Sequence, residues 1–357
     1  MTSADLVVIG GGIAGLTTAL AAADRGLRVI VIDVPRPGAA SRAAAGLLAP
    51  SIEGLPSAAR EHAVAARDFY PGYLERLRDL GGWDVPLDRR GILELAEDDR
   101  VLQELVARSP AATRLSASEL AALEPALRQN AGAVLHPRDG AVDTIALMSA
   151  LNSAVEAAAN VSRVVDTVVS IELSQTPRVV CASSVRHSAP WIVLAAGSWT
   201  DAISGLPRRL PVRPVMGQLL SLGTNELHHV AYAPAGGYLV PRGNALIVGA
   251  TSENTGLACD ISAAGREWLL DVVRRAAPAL VAAPVLSHWA GLRPVSPDGM
   301  PILGPDPACP SLVYAAGFSR NGILFAPWAA ERIAAGLVAE RTWKSIDSFG
   351  VNRFDGY

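Results

Sequence analysis

The stretch from Leu6 to Asp33 constrains the fold more than any other part of this 357-residue chain. Leu6-Val7-Val8-Ile9 is an apolar run, long enough for a buried parallel strand and too short for a helix. It leads directly into Gly10-Gly11-Gly12-Ile13-Ala14-Gly15, where Gly10, Gly12 and Gly15 fill the three positions of G-x-G-x-x-G. Such a turn gives a tight bend, close backbone approach to a pyrophosphate, and close packing of helix on strand. Small and aliphatic residues from Ile13 to Arg25 predict a helix whose positive dipole end faces phosphate. Arg28-Val29-Ile30-Val31-Ile32 predicts a second strand ending in Asp33, whose carboxylate can accept both hydroxyls of an adenosine ribose. A glycine turn alone is weak, but strand, turn, helix, strand and acid together predict dinucleotide binding, with NAD or FAD favoured over NADP.

The length fits two domains. With 50% hydrophobic and 18% charged residues the chain can bury a large core, which excludes a disordered chain. A net charge of −3 supplies no basic stripe, so nucleic acid is not an expected partner. Cys181, Cys259 and Cys309 are scattered and fit a reducing cytoplasm rather than a disulfide framework. The uncharged run from Leu6 to Ala23 imitates a membrane span in length, but its glycines are in phosphate-loop register and no Lys or Arg precedes it. No membrane association is expected.

Downstream, Ser41 to Pro50 is a loop of very small side chains, readable as an alanine-rich helix start or as backbone lying flat against a planar ring. Ser57 to Leu80 predicts an amphipathic helix stopped at Gly81-Gly82, and Ser116-x-x-Glu119 a capping box. Asp143 predicts a helix cap, and the β-branched residues of Val161 to Leu173 predict a return to sheet. Trp191 to Ala195 predicts a strand opening into Ala196-Gly197-Ser198-Trp199. Short β runs from Leu210 to Val248 predict an antiparallel sheet, and Gly322 opens a closing helix. His228 and His229 are read as facing opposite sides of a strand, and no metal site is assigned.

Several motifs, in chain order, carry a resemblance. They are the first thirty-three residues, Ala44-Ala45-Gly46, Tyr238-Leu239-Val240-Pro241-Arg242, Val248-Gly249-Ala250-Thr251, Trp289-Ala290-Gly291-Leu292-Arg293-Pro294, and Ala315 through Ile323. Together they resemble the D-amino-acid oxidase superfamily of FAD enzymes, and within it the glycine oxidases of thiamin biosynthesis. The resemblance implies an α/β fold with a Rossmann-like FAD-binding domain and a substrate domain built on a mixed, largely antiparallel sheet. The expected pieces are 1–82, 142–208 and 288–357 for FAD, and 83–141 and 209–287 for substrate.

It also implies roles. Arg293 would hold the substrate carboxylate with Tyr238, and Leu47, Gly236, Ser252 and Arg320 would line the substrate pocket. The cofactor would be touched by Gly10, Gly12, Ile13, Ala14, Gly15, Asp33, Ser41, Arg42, Ala45, Gly46, Leu47, Val168, Ala196, Gly197, Trp199, Arg293, Arg320, Asn321, Gly322 and Ile323. Taken singly, an Arg before Pro or a Tyr opening a strand reads as well as structure. The implied reaction is oxidation of a small amino acid such as glycine, sarcosine or a small D-amino acid, by hydride transfer from Cα to N5 of non-covalent FAD. An imino acid and, with O2, H2O2 result. The alternative is a dehydrogenase passing electrons to a quinone or protein acceptor; a non-catalytic nucleotide-binding subunit and an NAD enzyme are weaker readings. A homo-oligomer is left open. Where the family pattern places bulky residues, this chain has Leu47, Ser252 and Gly236, so a pocket larger than glycine needs is expected.

Overall fold

A computed structural model describes residues 4–128, 130–234, 236–339 and 343–355. Six strands form one sheet in the order Ile302–Pro305, Leu312–Ala316, Trp191–Leu194, Leu6–Ile9, Val29–Asp33 and Val161–Val165. All neighbours run parallel except the first pair. The period-two side-chain alternation of a strand explains why its residues are apolar throughout. Leu6 and Val8 join the core beneath the helices Ile13–Ala23, Ser57–Gly81, Thr144–Ala157 and Gly322–Val338. Val7 and Ile9 point the other way, toward Val168, Ile171, Val179 and Cys181 of a small three-stranded antiparallel sheet.

The second large sheet has eight strands, in the order Val285–Val295, Arg213–Leu222, Ala245–Gly249, Tyr238–Arg242, Val230–Tyr232, Ile92–Ala96, Gly132–His136 and Thr113–Leu115. It is antiparallel apart from the pairing of Val230–Tyr232 with Ile92–Ala96. Here too alternation assigns the faces: Leu220, Leu222, Leu239 and Val248 pack under the helix Ala263–Ala276. Leu219, Val230, Val240 and Ile247 turn toward Ala45, Ala49 and Leu47. That second face, carrying Tyr232, Tyr238 and Trp289, fronts the cofactor side of the molecule.

Most expected elements appear within two residues, including the capping box at Ser116 and Glu119 and the Asp143 cap, whose carboxylate accepts from the Ile145 and Ala146 N–H groups. The β-rich stretch Val161 to Leu173 forms two strands in different sheets, divided at Asp166-Thr167, because Val161–Val165 pairs with Val29–Asp33 whereas Val168–Glu172 pairs with Arg178–Cys181. One expectation needs correction. His228 and His229 precede the strand rather than sit in it. Both backbone N–H groups donate to the buried Glu124 carboxylate, and the His229 ring meets it at 2.6 Å. Among the described residues no helix is long and apolar enough to cross a membrane.

The strand Val285–Val295 belongs to the eight-stranded sheet, yet its last third is bonded to the cofactor side. Leu292 N–H donates to Gly38 (2.8 Å), the Ser198 hydroxyl donates to the Leu292 carbonyl (2.9 Å), and Ser319 N–H donates to Pro294 (2.9 Å).

Candidate active site

The C-terminal ends of the parallel strands and the inner face of the eight-stranded sheet enclose a cleft of about 1820 Å³. Every residue singled out from the sequence lines it except Gly15. Gly15 lies under the turn: a Cβ there would sit 1.8 Å from the Gly10 carbonyl oxygen, so it sets the approach of helix to strand. Gly10 has φ +109°, and its own Cβ would fall 2.4 Å from the Ala195 carbonyl oxygen. A side chain is therefore excluded there on both torsional and steric grounds. The first helical N–H, that of Ile13, donates to the Ser41 hydroxyl at 2.9 Å, and no acidic side chain occupies that first turn.

The small-residue loop resolves both ways. Ala40–Ala43 is a single helical turn, after which Ala44 is extended. Its carbonyls are taken by other segments: Ala43 accepts from the Trp289 indole (3.0 Å), Ala44 from the Thr144 hydroxyl (2.8 Å) and Ala45 from Arg242. With their carbonyls bound elsewhere, Ala43, Ala44, Ala45 and Gly46 offer the cleft only methyl groups and backbone, flanked by the side chains of Ser41, Arg42 and Leu47. Val168 lines one part of the cleft, and Ala196, Gly197 and Trp199 another, beyond the strand end. The Arg36 guanidinium lies over the Trp199 ring, 5.4 Å from its centroid. Asn321, Gly322 and Ile323 bring the start of the Gly322–Val338 helix to the same cleft.

On the sheet side, Arg293 and Tyr238 line the same cleft, close enough for the guanidinium to act electrostatically on the phenol. Two strand glycines make the room. A Cβ at Gly217 would lie 2.3 Å from Arg293 Nη1, and one at Gly249 would lie 2.5 Å from the Tyr238 ring. Arg293 donates to the carbonyls of Thr251 (3.1 Å) and Met216 (3.4 Å), which fixes one edge of the guanidinium and leaves N–H groups for a ligand. The Thr251 segment is fixed in turn, since the Gln218 N–H donates to the Thr251 hydroxyl at 2.8 Å and the Gln218 amide donates to Glu253 at 2.8 Å. Burial raises the Tyr238 phenol well enough above its usual range to outweigh the pull of Arg293 and Arg320, so it stays a protonated donor. Leu47, Gly236, Ser252 and Arg320 complete this end.

The family profile described as DAO, FAD dependent oxidoreductase, matches residues 5–336. The chain belongs to this family. Its members' cofactor is FAD, and the glycine turn, the helix start without an acidic side chain and the small residues Ala43 to Gly46 fit a bound dinucleotide carrying a flat ring. A bifunctional ThiO/ThiG protein of Trichormus variabilis is 34% identical over 98% of this chain; the chain spans 55% of that protein's length. The crystal structure of glycine oxidase from Geobacillus kaustophilus superposes with a TM-score of 0.91 at 29% identity, covering 99% of each chain. That of iminodiacetate oxidase from Chelativorans sp. BNC1 gives 0.90 at 26% identity, covering 97% of this chain and 98% of its own. This DAO-family chain is thus an FAD-dependent oxidoreductase with the glycine oxidase fold.

The structure adds site residues that sequence reasoning missed. Gly217 and Gly249 carried a usable signal, since glycine inside a strand marks a close approach. Glu53 and Tyr232 carried none: the Tyr232 hydroxyl donates to Glu53 at 3.0 Å and Arg320 pairs with the same carboxylate at 3.4 Å, contacts between residues far apart in the chain. Among the described residues no group of three or more His, Cys, Asp or Glu side chains is placed to hold a metal ion.

Proposed function

We propose that this protein oxidises a small amino acid with one carboxylate, giving the imino acid, FAD being held without a covalent tether. The observation that carries the reading is that Arg293 and Tyr238, on two strands of the eight-stranded sheet, both line the cleft. A guanidinium binds a carboxylate through two parallel hydrogen bonds and so fixes orientation as well as position. The phenol supplies a third donor.

When bound, FAD supplies the hydride acceptor at N5 and delivers the two electrons to O2, giving H2O2. The protein's part is to hold the carboxylate at Arg293 so that the Cα–H faces the ring, and to exclude water by the apolar surround of Leu47, Leu219 and Ile247. Loss of the amine proton is favoured by burial, which disfavours the ammonium form, so no side-chain base is needed. The start of the Gly322 helix offers positive potential where negative charge develops.

The pocket takes substrates larger than glycine, sarcosine, D-alanine and D-proline among them. Gly236 supports this, because a Cβ built there would meet nothing within 4 Å. Its φ of +99° also means that a histidine at this position would be strained as well as bulky. The relatives named as glycine oxidases favour this reaction class, and cytoplasmic action and a thiamin-related role remain parts of the same proposal.

The purified yellow protein is tested under air with glycine, sarcosine, D-alanine, D-proline and L-alanine. Peroxide from one or more of the first four, abolished in Arg293→Ala with FAD retained, is the expected result. Anaerobic bleaching without peroxide would replace O2 by another acceptor. No bleaching by any of these amines would overturn the substrate class.

A further inference from the structure

Glu53 is a buried acid for which the reaction above has no use. It lies in the loop that follows the Leu47–Leu48 strand, and that loop is pinned from behind: buried Asp139 accepts from the Ser51 N–H (3.1 Å), the Ser51 hydroxyl (3.1 Å) and Arg67 (2.8 Å). The Glu53 side chain is 8% exposed, whereas that of its ion-pair partner Arg320 is 60% exposed. Its other partner, Tyr232, has its ring 5.9 Å from that of Tyr238, whose phenol feels the charges of both Arg293 and Arg320. One pocket end therefore carries two guanidinium groups, from Arg293 and Arg320, and one carboxylate between different chain segments.

Resting on the amino acid oxidase reading, we infer that Glu53 selects substrate by charge: it occupies Arg320, so the pocket accepts amines with a single carboxylate and rejects those with a second acidic group. The physical reason is asymmetry of options. Among the described residues Arg293 donates to the Met216 and Thr251 carbonyls and pairs with no carboxylate, and so offers its charge to a ligand. Arg320 is already matched, and a second substrate carboxylate arriving there would meet Glu53 as a like charge, a juxtaposition that specificity commonly exploits. The buried acid is held in place by Tyr232 and cannot swing fully into water without giving up that bond. On this inference the chain differs in substrate from its structural neighbour named as an iminodiacetate oxidase, despite the shared fold.

The test uses the FAD-loaded protein and the change in flavin absorbance on titration with acetate and with malonate. Wild type is expected to prefer acetate. Glu53→Gln should shift the malonate-to-acetate affinity ratio toward malonate by about tenfold, and adding Arg320→Gln should remove that gain. Arg320→Gln alone, a change at an exposed side chain, should shift the ratio further toward acetate. Retained FAD in Glu53→Gln and a cooperative thermal transition in every variant show that the fold has formed, and comparing affinities as a ratio cancels any change common to both ligands. A ratio unmoved in both single variants, or a malonate gain that survives loss of Arg320, overturns the inference. Because these are binding measurements, they read separately from turnover: ratios that move as stated in a protein no amine can bleach would sink the oxidase reading and keep the charge filter.

Discussion

Arg293 and Gly217 form a unit at the scale of single residues. Arg293→Lys keeps the charge and loses the fork, and the missing bidentate contact is worth about 3 kcal/mol, so kcat/KM should fall roughly a hundredfold with FAD content unchanged. Gly217→Ala should cause a comparable loss without altering any functional group, because its Cβ claims the space of Nη1; turnover kinetics with flavin stoichiometry checks both. Arg36→Ala removes the cation over Trp199 and a positive charge beside the dinucleotide cleft. The expected result is a rise of about fivefold in the FAD dissociation constant, read by Trp fluorescence, with a weaker dependence on salt. The sequence disclosed Arg293 and Tyr238 because each sits in a motif whose neighbours are also recognisable. Glu53 was invisible because its meaning depends on Tyr232 and Arg320, partners that only folding brings near.

Among the elements, the helix Ala117–Leu123 shows how a local reading succeeds and then stops short. Its start was legible from Ser116 and Glu119, whose reciprocal capping is a matter of three-residue spacing. Its end at Leu123 was legible too, but the role of the next residue was not: Glu124 is fully buried and collects the His229 ring and two backbone N–H groups from a distant loop. Burial pushes this carboxyl up, but those hydrogen bonds outweigh it and leave the folded group below its ordinary value of 4.5. A depressed folded value means stability that is fully present above 4.5 and is lost as pH falls through the folded value. Glu124→Gln should therefore lower stability by about 2 kcal/mol at neutral pH, and that difference should shrink on acidification below 4.5, as paired calorimetric scans would show. A difference that stayed constant down to strongly acidic pH would mean the charge is not what matters. The β-rich stretch from Val161 meets the same limit: its β character is borne out, but local pattern is silent on which of two sheets receives each half.

Over the whole molecule, the alternation of apolar residues made both sheets legible, but nothing local announced that Val285–Val295 would serve both halves. Because that strand is bonded to Gly38, Ser198 and Ser319 while presenting Arg293, the proposed cofactor and carboxylate sites share one support. Acetate should then bind the FAD-loaded protein more tightly than the apoprotein, and by linkage it must tighten FAD by the same factor. Isothermal titration in both orders checks the equality. The order of strands in the six-stranded sheet carries a different consequence, one of timing. The glycine turn is made before its surroundings: its wall at Ala195 follows only with Trp191–Leu194, and the segment at Asn321 to Ile323 later still. A half-made chain thus holds the motif that would grip a nucleotide and nothing to close the grip, so FAD can act as a partner in folding only at the last stage of synthesis, when distant pieces have already found one another.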